Sequence, residues 1–224
     1  MVLAVHSDAV LYSRLLDFED ATAAFVAAQD REDLLASCEA LVRTHGLQDA
    51  VGVDVKHKHF ELPPRTLLVE RQDVAAKCAS MQPMPEEEAT DGRRLTPAAF
   101  FFAEGTWVPH EFVLDSEEAE AALRAVLATP DFTRALAALL DGRSAAKFLG
   151  FHLLHRGFLG RSTVETPGAA PHELLLRPYT AALRAELASR PSEVQQVAWA
   201  WSTHGPIGHN CWICKHCQHC ASHR

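Results

Sequence analysis

The sequence predicts an α+β fold: a small antiparallel sheet of about four strands packed with helices, a helical C-terminal half and a Cys/His-rich tail. Three observations predict it. Leu34, Leu35, Cys38, Leu41 and Val42 fall on one stripe at helical spacing. The period then drops to two, with Val51, Val53 and Val55 alternating with Gly52, Asp54 and Lys56. Finally, the chain ends in Cys211, Cys214, Cys217 and Cys220 at a constant spacing, interleaved with His216, His219 and His223.

Each element follows from local chemistry. Ala21 to Ala28 reads as a first helix, rich in alanine with Phe25 and Val26 supplying bulk. Asp30 caps a second, which His45 and Gly46 close; Cys38 within it is a small core residue. The alternation that starts at Val51 continues through His57, Lys58, His59 and Phe60 until Pro63-Pro64 breaks it. Thr66 to Glu70 returns as a second strand. Residues 81–97, with three prolines and the run Glu86-Glu87-Glu88, read as a solvated loop. Ala98 to Ala103 and Trp107 to Leu114 form a hairpin turning at Glu104-Gly105-Thr106. Ser116 caps a helix from Glu117 to Leu127, and Thr129-Pro130 opens another that ends near Gly142. Ala145 to Leu159 is apolar on nearly every face, which predicts a buried helix carrying His152 and His155 on one side. Residues 160–172 connect to a short helix over Tyr179 to Ala188. Ser192 and Gln195 form a capping box for a last helix with the stripe Val194, Val197, Ala198 and Trp201. No internal repeat is read beyond the cysteine spacing.

The chain has 224 residues, 48% hydrophobic and 22% charged, and a formal charge of -8. That suits one globular domain over residues 1–206 with a metal-binding tail over 207–224. An acidic surface disfavours nucleic acid, although Lys215 to Arg224 contains no acid. No apolar run is long enough to span a membrane, and the N-terminus lacks the basic start of a signal peptide. Clustered rather than dispersed cysteines point to a reducing compartment, cytoplasm or nucleus.

Thiolates and imidazoles are the ligands of zinc, copper(I) and iron–sulfur clusters. Cys211, Cys214, Cys217, Cys220, His219 and His223 therefore form a candidate zinc tail, for structure or for docking a protein partner. An iron–sulfur cluster or iron is the alternative cofactor. Cys211, Cys214 and His219 resemble part of a zinc knuckle, whose final cysteine would fall at Arg224. The opening Cys211, Cys214, Cys217 resembles the ferredoxin run, except that Cys220 comes one residue early. A second candidate site is interior. His57 and His59 share a strand face with the buried valines, and His110 lies on an apolar face of the later hairpin. Three imidazoles aimed into a sheet can hold a metal and leave positions open for substrate. The His-x-His pattern is similar to that of cupins, but the all-β frame and the later carboxylate motif are missing. Two functions thus remain: a metal-binding protein with a zinc tail, or a metalloenzyme built on His57, His59 and His110.

Overall fold

The computed structural model describes residues 9–160, 162–188, 194–202 and 210–214. Among them are seven helices: α1 Ala9–Ser13, α2 Phe18–Ala27, α3 Arg31–Thr44, α4 Glu86–Thr90, α5 Glu117–Leu127, α6 Pro130–Gly142 and α7 Ala181–Ala188. The strands are β1 Val51–Val55, β2 Thr66–Asp73, β3 Cys78–Pro85, β4 Leu95–Ala103, β5 Thr106–Leu114, β6 Leu149–Leu153, β7 Ser162–Pro167, β8 Leu174–Pro178, β9 Val194–Gln196, β10 Ala198–Trp199 and β11 Asn210–Cys214. They form one mixed sheet in the order β10-β1-β6-β4-β5-β2-β3-β8-β7-β11-β9. The expected four-stranded antiparallel sheet with a helical C-terminal half is therefore wrong: the second half contributes β6 to β11 to this sheet as well as α5 to α7. The sheet also curls. β10 pairs with β1 at one edge, β9 pairs with β11 at the other, and only Val197 separates β9 from β10. One short chain segment thus ties the two edges together, with the Val55 amide donating to the Val197 carbonyl at 2.7 Å.

The architecture is duplicated, contrary to the sequence reading. In order, α2, α3, β1, β2, β3, β4 and β5 correspond to α5, α6, β6, β7, β8, the β9–β10 pair and β11. Backbone hydrogen bonds repeat with it. The Leu47 amide donates to Val42 and the Ala145 amide to Leu140; Val51 donates to Leu47 and Leu149 to Ala145. Gly46 and Ser144, which turn the chain out of α3 and α6, both have positive φ, +68° and 52°. β1 and β6 pair antiparallel about Val53↔Phe151, and β3 and β8 about Ser80↔Leu175. The two parallel contacts among the described strands, β2 with β5 and β7 with β11, also correspond. A pseudo-twofold axis therefore runs between β1/β6 and β3/β8.

The helix pairs α2–α3 and α5–α6 cover the outer face of this sheet. Val51, Val53 and Val55 of β1 and Leu149, Phe151 and Leu153 of β6 all join that core. Phe151 stacks on Phe100 at 4.7 Å and meets Trp107 edge-on at 4.8 Å. The Trp107 indole donates to the Thr133 carbonyl at 3.0 Å, which keeps the buried N–H satisfied. On the opposite, inner face, β1 and β6 carry Gly52, Asp54, Gly150 and His152. Gly150 stands where a Cβ would collide with the Phe100 carbonyl oxygen, and backbone cannot step aside. Gly150→Ala is expected to cost about 1–3 kcal/mol by overpacking, measurable by urea denaturation.

Several expected elements change identity. Residues 149–153 form an interior strand rather than part of a helix, because a short run buried on both faces, flanked by further apolar residues, fits either period. Residues 194–199 are strands β9 and β10, not a capped helix. The expected loop over 81–97 holds β3, α4 and the start of β4. Pro83 and Pro85 are tolerated because only Ala79, Ser80 and Met81 pair with β8, so that side of the prolines has no ladder to break. The segment 162–167, expected as connection, is β7, and β8 precedes the short helix α7. The readings that hold are α2, α3, β1, β2, the β4–β5 hairpin, α5, α6 and the short helix α7. The Ser116 hydroxyl accepts from the Ala119 amide at 3.3 Å, as a cap should. Asp30 does not cap α3; its carboxylate pairs with Arg143 instead. Cys38 is fully buried, and burial pushes its thiol up to about 12.

Candidate metal centre

β1 ends at Val55, so His57 and His59 follow the strand rather than lie on it. The segment is held by the Lys56 amide on Phe148 O (3.0 Å) and the Lys58 amide on Leu16 O (2.9 Å). The Tyr12 hydroxyl accepts from the His59 amide and donates to Phe60 O, both at 3.3 Å. These contacts carry the chain across the inside of the sheet, where Phe60 and its counterpart Phe158 both pack against the cluster that holds Leu68, Met81 and Leu176.

There His57, His59 and Glu165 of β7 converge, with one ligand atom from each within 4.8 Å of the others and all three residues buried. The surroundings select which atoms face an ion. His57 Nδ1 lies 2.9 Å from the Val55 carbonyl, which only accepts, so Nδ1 carries hydrogen and Nε2 keeps its lone pair. His59 Nε2 lies 3.2 Å from Glu111 Oε1, and His59 Nδ1 lies 3.3 Å from Glu165 Oε1. Glu111 thus orients the imidazole from behind while Nδ1 and Glu165 remain the ligand pair, the carboxylate–histidine–metal arrangement of many metal sites.

Without an ion, a proton does the ion's work. Burial opposes charge on His59, but Glu165 and Glu111 outweigh it and push the ring up to about 10. Burial and the neighbouring His59 push His57 down to about 4. Burial raises both carboxyls, yet the histidine charges win and hold Glu165 and Glu111 below the usual range. A metal held by His57, His59 and Glu165 would have to displace the His59 proton and would supply the charge in its place.

His110 is buried but stands outside this ligand group. Its Nε2 is 3.8 Å from Glu111 Oε1, and burial pushes it down to about 4. His152 and His155, expected on a helix, lie on β6 and just after it. The His155 ring is held by Leu153 O at 2.8 Å and Glu70 Oε2 at 3.2 Å. Arg156 Nη2 is 2.6 Å from the same Glu70 oxygen and 3.9 Å from Glu111. An alternating line of acidic and basic side chains therefore joins Glu165, His59, Glu111, Arg156, Glu70 and His155. Of the tail, Cys211 and Cys214 belong to β11, whose backbone pairs with β7 and β9. Cys217, His219, Cys220 and His223 lie outside the described residues.

Glu70, Glu111, Arg156 and Glu165 were missed as site residues in the sequence. A signal existed: Val-Gly-Val-Asp-Val-Lys-His-Lys over 51–58 and Leu-Gly-Phe-His-Leu-Leu-His-Arg over 149–156 share a pattern. Val69-Glu70 and Val164-Glu165 share another.

Asp54 borders this network with Oδ1 cut off from solvent and from any hydrogen bond. Burial, helped by the Glu111 charge, pushes its carboxyl up to about 8. A raised folded pKa favours the protonated form in the fold. The stabilising contribution is full below the ordinary carboxyl value and lost as pH rises through about 8. Asp54→Asn is always neutral, so its stability relative to wild type should rise from pH 4 to pH 8 and then level off. Each tenfold difference in proton affinity between the folded and unfolded chain is worth about 1.4 kcal/mol. Urea denaturation at the two ends of that range checks it. Lys56, pushed by burial down to about 8, contributes its own dependence only above that window.

Fold and site together define a class: a duplicated, curled mixed sheet with helices outside and a buried two-histidine, one-carboxylate group within. Comparison with protein-family models, curated proteins and solved structures finds no match for the chain. No described helix is long and apolar enough to cross a membrane.

Proposed function

We propose that this chain is a metalloprotein whose interior site, His57, His59 and Glu165, holds a divalent transition metal for chemistry. The observation that carries the reading is the convergence of three buried ligand atoms, two of them oriented by hydrogen bonds on their far side. Two imidazoles and one carboxylate suit zinc in a catalytic setting or non-haem iron(II). Three protein ligands leave coordination positions for water or substrate, whereas structural zinc sites are closed by four. When bound, the metal supplies a Lewis acid or an activated water. The protein supplies burial, the fixed tautomer of His57 and the Glu111 carboxylate behind His59. A second reading, zinc or an iron–sulfur cluster in the tail, draws on the constant spacing of Cys211, Cys214, Cys217 and Cys220. A tail of that kind would serve docking or deliver metal to the interior.

The test is metal content by elemental analysis with a cobalt(II) spectrum. It uses the wild-type chain, a chain with the four tail cysteines changed to serine, and a His57→Ala/His59→Ala chain. Substitution is preferred to truncation because Cys211 and Cys214 are part of β11. Metal kept by the cysteine-free chain and lost from the histidine variant supports the interior centre. Metal that follows the cysteines alone refutes it and leaves the tail; sulfide with visible charge-transfer bands identifies a cluster.

A further inference from the structure

We propose that Glu70 and His155 form a second cation site, the pseudo-twofold mate of the metal centre, and that the Arg156 guanidinium fills it in place of a metal. The proposal takes its template from the interior centre described above, but its own test does not require that centre to bind.

The correspondence is made atom by atom. β1 and β6 are equivalent about the Val53↔Phe151 pair. His57 and His155 each stand two residues past a strand valine or leucine whose carbonyl accepts from the ring Nδ1, at 2.9 and 2.8 Å. Each histidine therefore presents Nε2 inward. Each then meets a glutamate from the other repeat. Glu165 of β7 follows Val164, which pairs in parallel with Trp212 of β11; Glu70 of β2 follows Val69, which pairs in parallel with Phe112 of β5. His155 Nε2 to Glu70 Oε2 is 3.2 Å, so a nitrogen and a carboxylate oxygen converge as in the first site.

Two of the substitutions between the copies decide which cation each site takes. Where the first has His59, the second has Gly157, so one ligand is missing. Where the first has Lys58, paired outward with Glu61 and Asp17, the second has Arg156, turned inward. Its Nε and Nη2 both reach Glu70 Oε2, at 2.7 and 2.6 Å, on a carboxylate with no solvent exposure. A buried carboxylate facing an imidazole needs a cation. In one half it is an ion from solution; in the other the chain supplies it. Arg156 also approaches Glu111, so the fixed charge borders the first site's supporting carboxylate. Gly157 leaves room for the missing ligand: the atoms nearest an added Cβ are those of the Glu118 carboxylate, at 3.4 Å or more, ordinary contacts.

The test converts the second site. Arg156→Ala with Gly157→His removes the tethered cation and restores the absent imidazole, in the full chain with its tail cysteines changed to serine. Zinc stoichiometry is measured by equilibrium dialysis. The variant is expected to bind one equivalent more than its parent, and Glu70→Gln on top should abolish the extra equivalent. Two against one supports both sites. One against none supports this proposal while refuting the first centre. Equal stoichiometry in a folded variant overturns the proposal. Should the variant fail to fold alone, refolding in zinc and in magnesium decides the matter. Rescue by zinc that depends on Glu70 supports a metal site; no rescue overturns it.

Discussion

Arg156→Met is expected to destabilise the protein by about 3–5 kcal/mol, the cost of leaving one partner of a buried ion pair uncompensated. The reason is Glu70, which has no exposed surface and takes its charge compensation from Arg156 and His155. Gln72 donates to the other carboxylate oxygen at 2.9 Å, which satisfies a lone pair but not the charge. For a chain of this length about 1 kcal/mol moves the melting temperature by roughly 2–4 °C, so the shift should be unmistakable. Arg156→Met with Glu70→Gln removes both charges and should recover most of the loss, because a neutral pair of similar volume carries no such penalty. Acid sharpens the comparison. Burial alone would raise the Glu70 carboxyl, but Arg156 and His155 hold it far below the usual range. A depressed folded pKa gives stability that is present above the ordinary value of 4.5 and lost as pH falls. Wild type should therefore lose part of its stability in acid, and the Glu70→Gln double variant should not lose that part. A single variant as stable as wild type at neutral pH would mean that Glu70 carries no charge in the fold.

Glu165→Gln and His59→Ala should each weaken interior metal binding by more than about 100-fold, beyond the roughly 10–100-fold cost of losing a group that only supports a ligand. Glu111→Gln should fall within that smaller range, since Glu111 bonds to His59 and would reach a bound ion only through it. Competition with a chromophoric chelator, in chains lacking the tail cysteines, measures all three. The ordering is the content of the prediction. If Glu111→Gln proved as damaging as Glu165→Gln, then Glu111 would be a ligand and the roles of the two His59 nitrogens would be exchanged.

The parts of the fold legible in the sequence are those where one local rule acts alone. Ser116 ahead of three acids starts α5, Pro130 starts α6, and Gly46 ends the turn after α3. The hairpin at Glu104-Gly105 needs two residues of positive φ, and has them at 51° and 79°. Misreading began where two periods fit the same residues. Leu149 to Leu153 is buried on both faces, because helices cover one side and the polar interior closes over the other. Val194 to Trp199 matched a helical stripe, yet its place is set by two strands distant in sequence, β1 and β11. Pairing partners of that kind leave no trace in a local pattern.

The candidate site divides the same way. His57 and His59 were legible because two histidines so close, after a half-buried strand, have few ordinary reasons to be there. His110 looked equivalent, but its Nε2 turns to Glu111 instead of joining the ligand group. Glu165 was invisible: a lone glutamate in a Gly/Pro/Thr-rich stretch resembles any surface residue until β7 is placed against the His57–His59 segment.

By itself, then, the sequence determined the helix pairs, the β4–β5 hairpin and the presence of metal-type residues, since caps, turns and periodicity act within a few residues. It also held the duplicated pattern, which became readable only once β1 and β6 lay side by side. The closure of the sheet, the meeting of His57 and His59 with Glu165, and the turn of Arg156 inward to Glu70 were decided by tertiary structure. Each joins groups from opposite repeats, and such contacts are selected by burial and charge compensation across the whole fold rather than by any neighbour along the chain.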